Sequence, residues 1–158
     1  MKKFFFVASS LLIATQVQAG LITPCTQANL NGSYVLYNAA VNGKSLPDAG
    51  SMNHTGRCEI HINNGNLTGT CAFDPNNSNQ PNFNGPVYGT ASMNTNCSAD
   101  LIISFDPVPN VVHIDSEFDV QFLPNKEGFI GKFSNNFGVR GSTSGTRFNP
   151  ILPSTAAN

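Results

Sequence analysis

The chain has 158 residues, a net charge of −1 and only 11% charged side chains, with no tryptophan and many Gly, Asn, Ser and Thr residues. Helix formers such as Glu, Lys and Gln are scarce, so the composition favours strands, turns and polar loops. No basic excess provides the electrostatic footprint of a nucleic-acid binder, and a nucleic-acid partner is not expected.

The first segment reads as an export signal. Lys2 and Lys3 precede an apolar run, Phe4 to Ile13, and Val17-Gln18-Ala19 is a small-residue cleavage site. Cleavage is expected after Ala19, giving signal peptide 1–19 and one mature domain, 20–158. The apolar run is shorter than the roughly 20 residues a spanning helix needs. Removing the two lysines leaves six basic against nine acidic side chains, a mature net charge of −3. The predicted address is secreted or periplasmic.

All four cysteines, Cys25, Cys58, Cys71 and Cys97, lie in the mature part. An even count in an exported chain implies disulfides. Residues 20–31 read as an irregular lead-in anchored by Cys25. Residues 32–41 form the first strand, ending at an Asn42-Gly43 turn, and the segment 44–50 with Pro47 is a loop.

The most informative stretch is the hairpin over about residues 53–73. Asn64-Gly65 is the favoured centre of a two-residue type I′ turn, since both positions accept positive φ. That places Asn63 opposite Asn66, Ile62 opposite Leu67, Ile60 opposite Gly69 and Cys58 opposite Cys71. The cysteines then share a face with Ile60, Ile62 and Leu67. They fall at a non-hydrogen-bonded pair, with Cα atoms about 4.5 Å apart, inside the reach of a disulfide. Cys25–Cys97 is the remaining pair.

Residues 74–85 read as a long polar loop, 86–96 as a fourth strand and 100–105 as a fifth. The run Asp106 to Asn110, with two prolines, reads as a break. Strand six is the clearest. Val112, Ile114, Ser116, Phe118, Val120 and Phe122 alternate with His113, Asp115, Glu117, Asp119 and Gln121, one face apolar and one wet. A turn at 124–128 leads to a seventh strand, 129–133. A turn on Asn135-Asn136 leads to an eighth, about 138–147, with Phe133 covering Gly138. The tail, 149–158, reads as flexible.

Eight strands in sequential hairpins predict an all-β, antiparallel up-and-down barrel, stapled by disulfides; a β-sandwich is the alternative. Leu30-Asn31-Gly32-Ser33-Tyr34 resembles the G-x-aromatic opening of calycin-type barrels, the lipocalin superfamily. The resemblance implies a small secreted barrel with an internal cavity, in which Arg147 packs over Tyr34 at one barrel end.

No group of residues supports catalysis. Gly-x-Ser-x-Gly is absent, and Gly141-Ser142-Thr143-Ser144-Gly145 has no evident base. His54, His61 and His113 read as solvated histidines at strand positions. Residues 74–78 begin like a calcium loop but lack its later Gly and Glu. No cofactor and no metal are expected. An outward-apolar membrane barrel is disfavoured by the lack of aromatic girdles. The expected function is non-catalytic binding of a small apolar ligand, with Ile60, Ile103, Ile114, Phe118, Val120 and Phe129 as cavity lining. The alternative is a surface-recognition module with a filled core, acting through its polar loops.

Overall fold

The computed structural model describes residues 24–42, 53–75 and 82–148. The expected signal segment, the expected turn beyond Asn42 with the following loop, the middle of the 74–85 segment and the expected tail lie outside the described residues.

Eight antiparallel strands close into a barrel: β1 (Gly32–Asn42), β2 (His54–Asn63), β3 (Asn66–Pro75), β4 (Phe83–Met93), β5 (Ser98–Val108), β6 (Val112–Phe122), β7 (Gly128–Asn135) and β8 (Val139–Arg147). Each strand pairs with its sequence neighbours. The circle closes by β1 on β8, from Tyr34 opposite Arg147 to Asn42 opposite Val139. The barrel reading therefore holds and the sandwich does not.

The β2–β3 hairpin has the register expected from its turn, Ile62 opposite Leu67 and Cys58 opposite Cys71. Asn64 and Gly65 have φ of 49° and 87°, the positive values a type I′ turn demands. Both disulfides are present, with Cα separations of 4.0 Å for Cys58–Cys71 and 5.0 Å for Cys25–Cys97. They fit an extracellular or periplasmic location.

Several boundaries differ from the sequence reading. Gln27–Leu30 in the lead-in is a 3₁₀ turn, held by the Asn29 side chain accepting from the Thr26 N–H at 2.8 Å. The 74–85 segment does not lie wholly between strands, because β3 runs to Pro75 and β4 begins at Phe83. The proline-containing run does not break β5 at Phe105. A bulge between Phe105 and Val108 absorbs one extra residue, and Pro107, which has no N–H to donate, sits where the ladder is interrupted. Phe133 lies opposite Gly141, not Gly138. The β7–β8 turn is longer than expected, since Asn135 Oδ1 accepts from both Phe137 and Val139 N–H at 3.0 Å.

The buried apolar residues form one core inside the barrel. On β6 Ile114, Phe118, Val120 and Phe122 are buried, while His113, Glu117, Asp119 and Gln121 are exposed. This is the reverse of the outward apolar band of a membrane barrel. Among the described residues no helix is long and apolar enough to cross a membrane.

Candidate ligand cavity

The two ends of the barrel differ. One is plugged. The 3₁₀ turn lays Leu30, fully buried, against the barrel end, and the Tyr34 ring packs at 6.1 Å from Phe122 and 6.0 Å from Phe129. The Tyr34 hydroxyl donates to Leu30 O at 2.9 Å. The Arg147 guanidinium donates to Asn31 O, Asn29 O and Tyr34 Oη at 2.7–2.8 Å, with its carbon 5.2 Å from the Tyr34 ring centre. Burial pushes the Tyr34 phenol above its usual range, against the opposing pull of Arg147. The planar fork of arginine suits this task, because one side chain satisfies two carbonyls and a hydroxyl at once. Cys25–Cys97 and the Gln27 side chain, which donates to Ala91 O at 2.8 Å and accepts from Met93 N at 3.0 Å, bind the plug to the β4–β5 corner.

The opposite end holds a cavity of about 300 Å³. Strand direction decides which residues reach it. Strands β2, β4, β6 and β8 start at this end, whereas β1, β3, β5 and β7 finish there. Its walls are Phe73 and Phe83, Phe105 and Pro107 from the β5 bulge, and Ile103, Val112, Ile114, Phe118 and Phe133. Phe73 stacks on Phe83 at 5.7 Å, and Phe105 lies 5.1 Å and 4.8 Å from them. Phe118 stacks on Phe133 at 5.1 Å on the other wall. His54 lies between the two groups, 5.2 Å from Phe73 and 6.5 Å from Phe133.

Besides His54, three polar side chains line the cavity: Asn38, Ser116 and Asn135. Asn38 is 5% exposed and Ser116 6%, deep enough that a hydrogen bond there matters energetically. Thr143 Oγ1 donates to Asn38 Oδ1 at 2.7 Å, which orients that carboxamide. No Asp, Glu, Lys or Arg is among the lining residues.

Of the six residues expected to line a cavity, Ile103, Ile114 and Phe118 do so. Ile60, Val120 and Phe129 do not; they face inward and are buried, but in the filled half near the plug. Alternation identifies the inner face of a strand but not the depth along the barrel axis. Phe73, Phe83, Phe105 and His54 were missed. The signal for His54 was its parity with Cys58 and Ile60 on β2, which puts it on the inner face rather than in solvent. Phe73 likewise shares parity with Cys71, and Phe105 with Ile103.

Outside the barrel, His113 lies between two carboxylates, Nδ1 at 2.8 Å from Asp106 Oδ1 and Nε2 at 3.0 Å from Asp115 Oδ1. The imidazole separates the acids, so they do not converge on a common ion. Among the described residues no cluster of His, Cys, Asp and Glu is arranged to hold a metal.

No protein-family model matches the chain. No curated protein matches it either. Among solved structures it is similar to a redesigned β-barrel, at 13% identity over 78% of this chain and 96% of that chain, with a TM-score of 0.49. The eight-stranded antiparallel barrel itself fits a calycin-like fold.

Proposed function

We propose that this chain is an exported carrier that holds one small apolar molecule inside its barrel, in the manner of the lipocalin superfamily. The observation that carries this reading is the asymmetry of the interior. One half is filled by Tyr34, Phe122, Phe129 and their neighbours, while the other leaves about 300 Å³ walled mainly by aromatic rings. A concave, mostly apolar space with a few polar groups is the usual form of a small-ligand site. The export signal read from residues 1–19 and the two disulfides support an extracellular or periplasmic carrier.

Native mass spectrometry of the oxidised chain, purified from an export compartment, tests the reading. The expected result is one discrete extra mass per chain, released on denaturation. Ile103→Phe, which directs a ring into the space, should give a folded chain without that mass. A bare wild-type mass, together with a variant and wild type that respond alike to added hydrophobic compounds, would refute carriage.

A further inference from the structure

The shape and chemistry of the cavity restrict what fits it. We infer that the ligand is a flat, uncharged, two-ring aromatic molecule bearing one hydrogen-bonding group, and not an alkyl chain. This rests on the carrier reading and narrows it.

Size comes first. An apolar cavity of about 150 Å³ accommodates benzene, and the space here, about 300 Å³, is twice that. Two fused or linked rings match it. A long acyl chain needs a deep tunnel, and Tyr34, Phe122, Phe129 and Leu30 fill the interior below.

Wall chemistry points the same way. The space lies between a three-ring wall on β3, β4 and β5 and the stacked pair Phe118–Phe133 on β6 and β7, whose planes are 20° apart. Aromatic surfaces favour aromatic guests, because offset and edge-on contacts add to the burial of area. An aliphatic chain gains only the burial.

The polar groups set the remaining constraint. Ser116 and Asn38 are nearly buried, and both line the space. Thr143 engages Asn38 Oδ1, so the donor of that side chain is Nδ2. A hydroxyl or carbonyl on the ligand matches these groups, whereas an ammonium would enter an aromatic site with no carboxylate among the lining residues, and a carboxylate would find only the His54 imidazole, with no Lys or Arg, to face.

The test is calorimetric titration of the full, oxidised, delipidated chain with four probes: 2-naphthol, naphthalene, phenol and 1-decanol. 2-Naphthol should bind at one site and at least about tenfold tighter than each of the others, the size of effect expected from one well-made buried hydrogen bond or one lost ring. Ser116→Ala should remove most of the preference for 2-naphthol over naphthalene and leave naphthalene binding unchanged. Its near-isosteric change keeps the fold, which a thermal melt verifies. Tighter binding of 1-decanol would overturn the aromatic assignment while leaving the carrier reading standing. Equal binding of 2-naphthol and naphthalene, or a preference unmoved in Ser116→Ala, would overturn the polar assignment. Failure of every probe to bind would overturn this inference, while the carrier reading then stands or falls on the native mass.

Discussion

His113 is the residue whose surroundings make the clearest solution forecast. Its two ring nitrogens face Asp106 and Asp115, and Tyr88 Oη lies 3.3 Å from Asp106 Oδ2. Both nitrogens can donate only when the ring is protonated. The hydrogen bond to Asp106, together with the charge of Asp115, raises the pKa above the ordinary value of 6.5, against a smaller opposing effect of desolvation. A raised folded pKa means the pair stabilises the fold fully below the unfolded value and loses that contribution as pH rises through the folded one. Melting temperature should therefore fall from pH 6.5 upward more steeply in the wild type than in His113→Gln. The effect will be small because the ring is solvent-exposed and screened. Following the His113 ring protons by NMR checks the direction, and a midpoint at or below 6.5 would contradict it. Parity along β6 placed His113 on the wet face from sequence. Its bond to Asp106 was not legible, since the bulge at Pro107 sets where that carboxylate sits.

At the scale of elements, the β2–β3 hairpin and the 3₁₀ plug are each held by a disulfide, and the two bridges close loops of very different length. Sequence separation is 13 for Cys58–Cys71 and 72 for Cys25–Cys97. If restriction of the unfolded chain dominates, removing the short bridge costs about 3 kcal/mol and removing the long one about 4 kcal/mol. Within each pair, either single Cys→Ala change should destabilise nearly as much as the double change, because both break the same bond. Urea midpoints of the six variants measure this. Independent effects of Cys58→Ala and Cys71→Ala would show that the packing of the two side chains, and not the bond, carries the stability. The hairpin was readable because Asn-Gly has a strong local preference that fixes register. The β7–β8 turn was not, since two adjacent asparagines offer more than one turn, and the choice is made by Asn135 Oδ1 capping Phe137 and Val139.

For the molecule as a whole, closure depends on inward positions without side chains. A Cβ at Gly131 would lie 2.3 Å from Asp119 O and 2.8 Å from Val120 Cα, backbone of the neighbouring strand that cannot yield cheaply. At Gly141 the backbone carbonyl of Ala39, 2.1 Å from an added Cβ, and the Phe133 ring both take the space, and at Gly145 the Phe129 ring does. Glycine kinks let strongly coiled strands close a barrel, and an aromatic ring can cover the bare backbone. Gly131→Ala should therefore cost about 2–4 kcal/mol, as expected for a steric clash in a packed interior. Gly138→Ala meets no atom within 4 Å and faces only its φ of +77°, so about 1 kcal/mol is expected there. Equal costs in chemical denaturation would mean that the barrel wall relaxes around the added methyl group.

Sequence alone determined the all-β class, the inward and outward faces, the β2–β3 register and the pairing of the cysteines. These follow from interactions local in the chain: a period of two, one tight turn and a count of thiols. Tertiary structure decided what depends on depth. Strands run in alternating directions and are sheared around the barrel, so the distance of a residue from the plug is a property of all eight strands together. That is why Ile60, Val120 and Phe129 fell in the packed half, and why Phe73, Phe83, Phe105 and His54 gathered around the space at the other end.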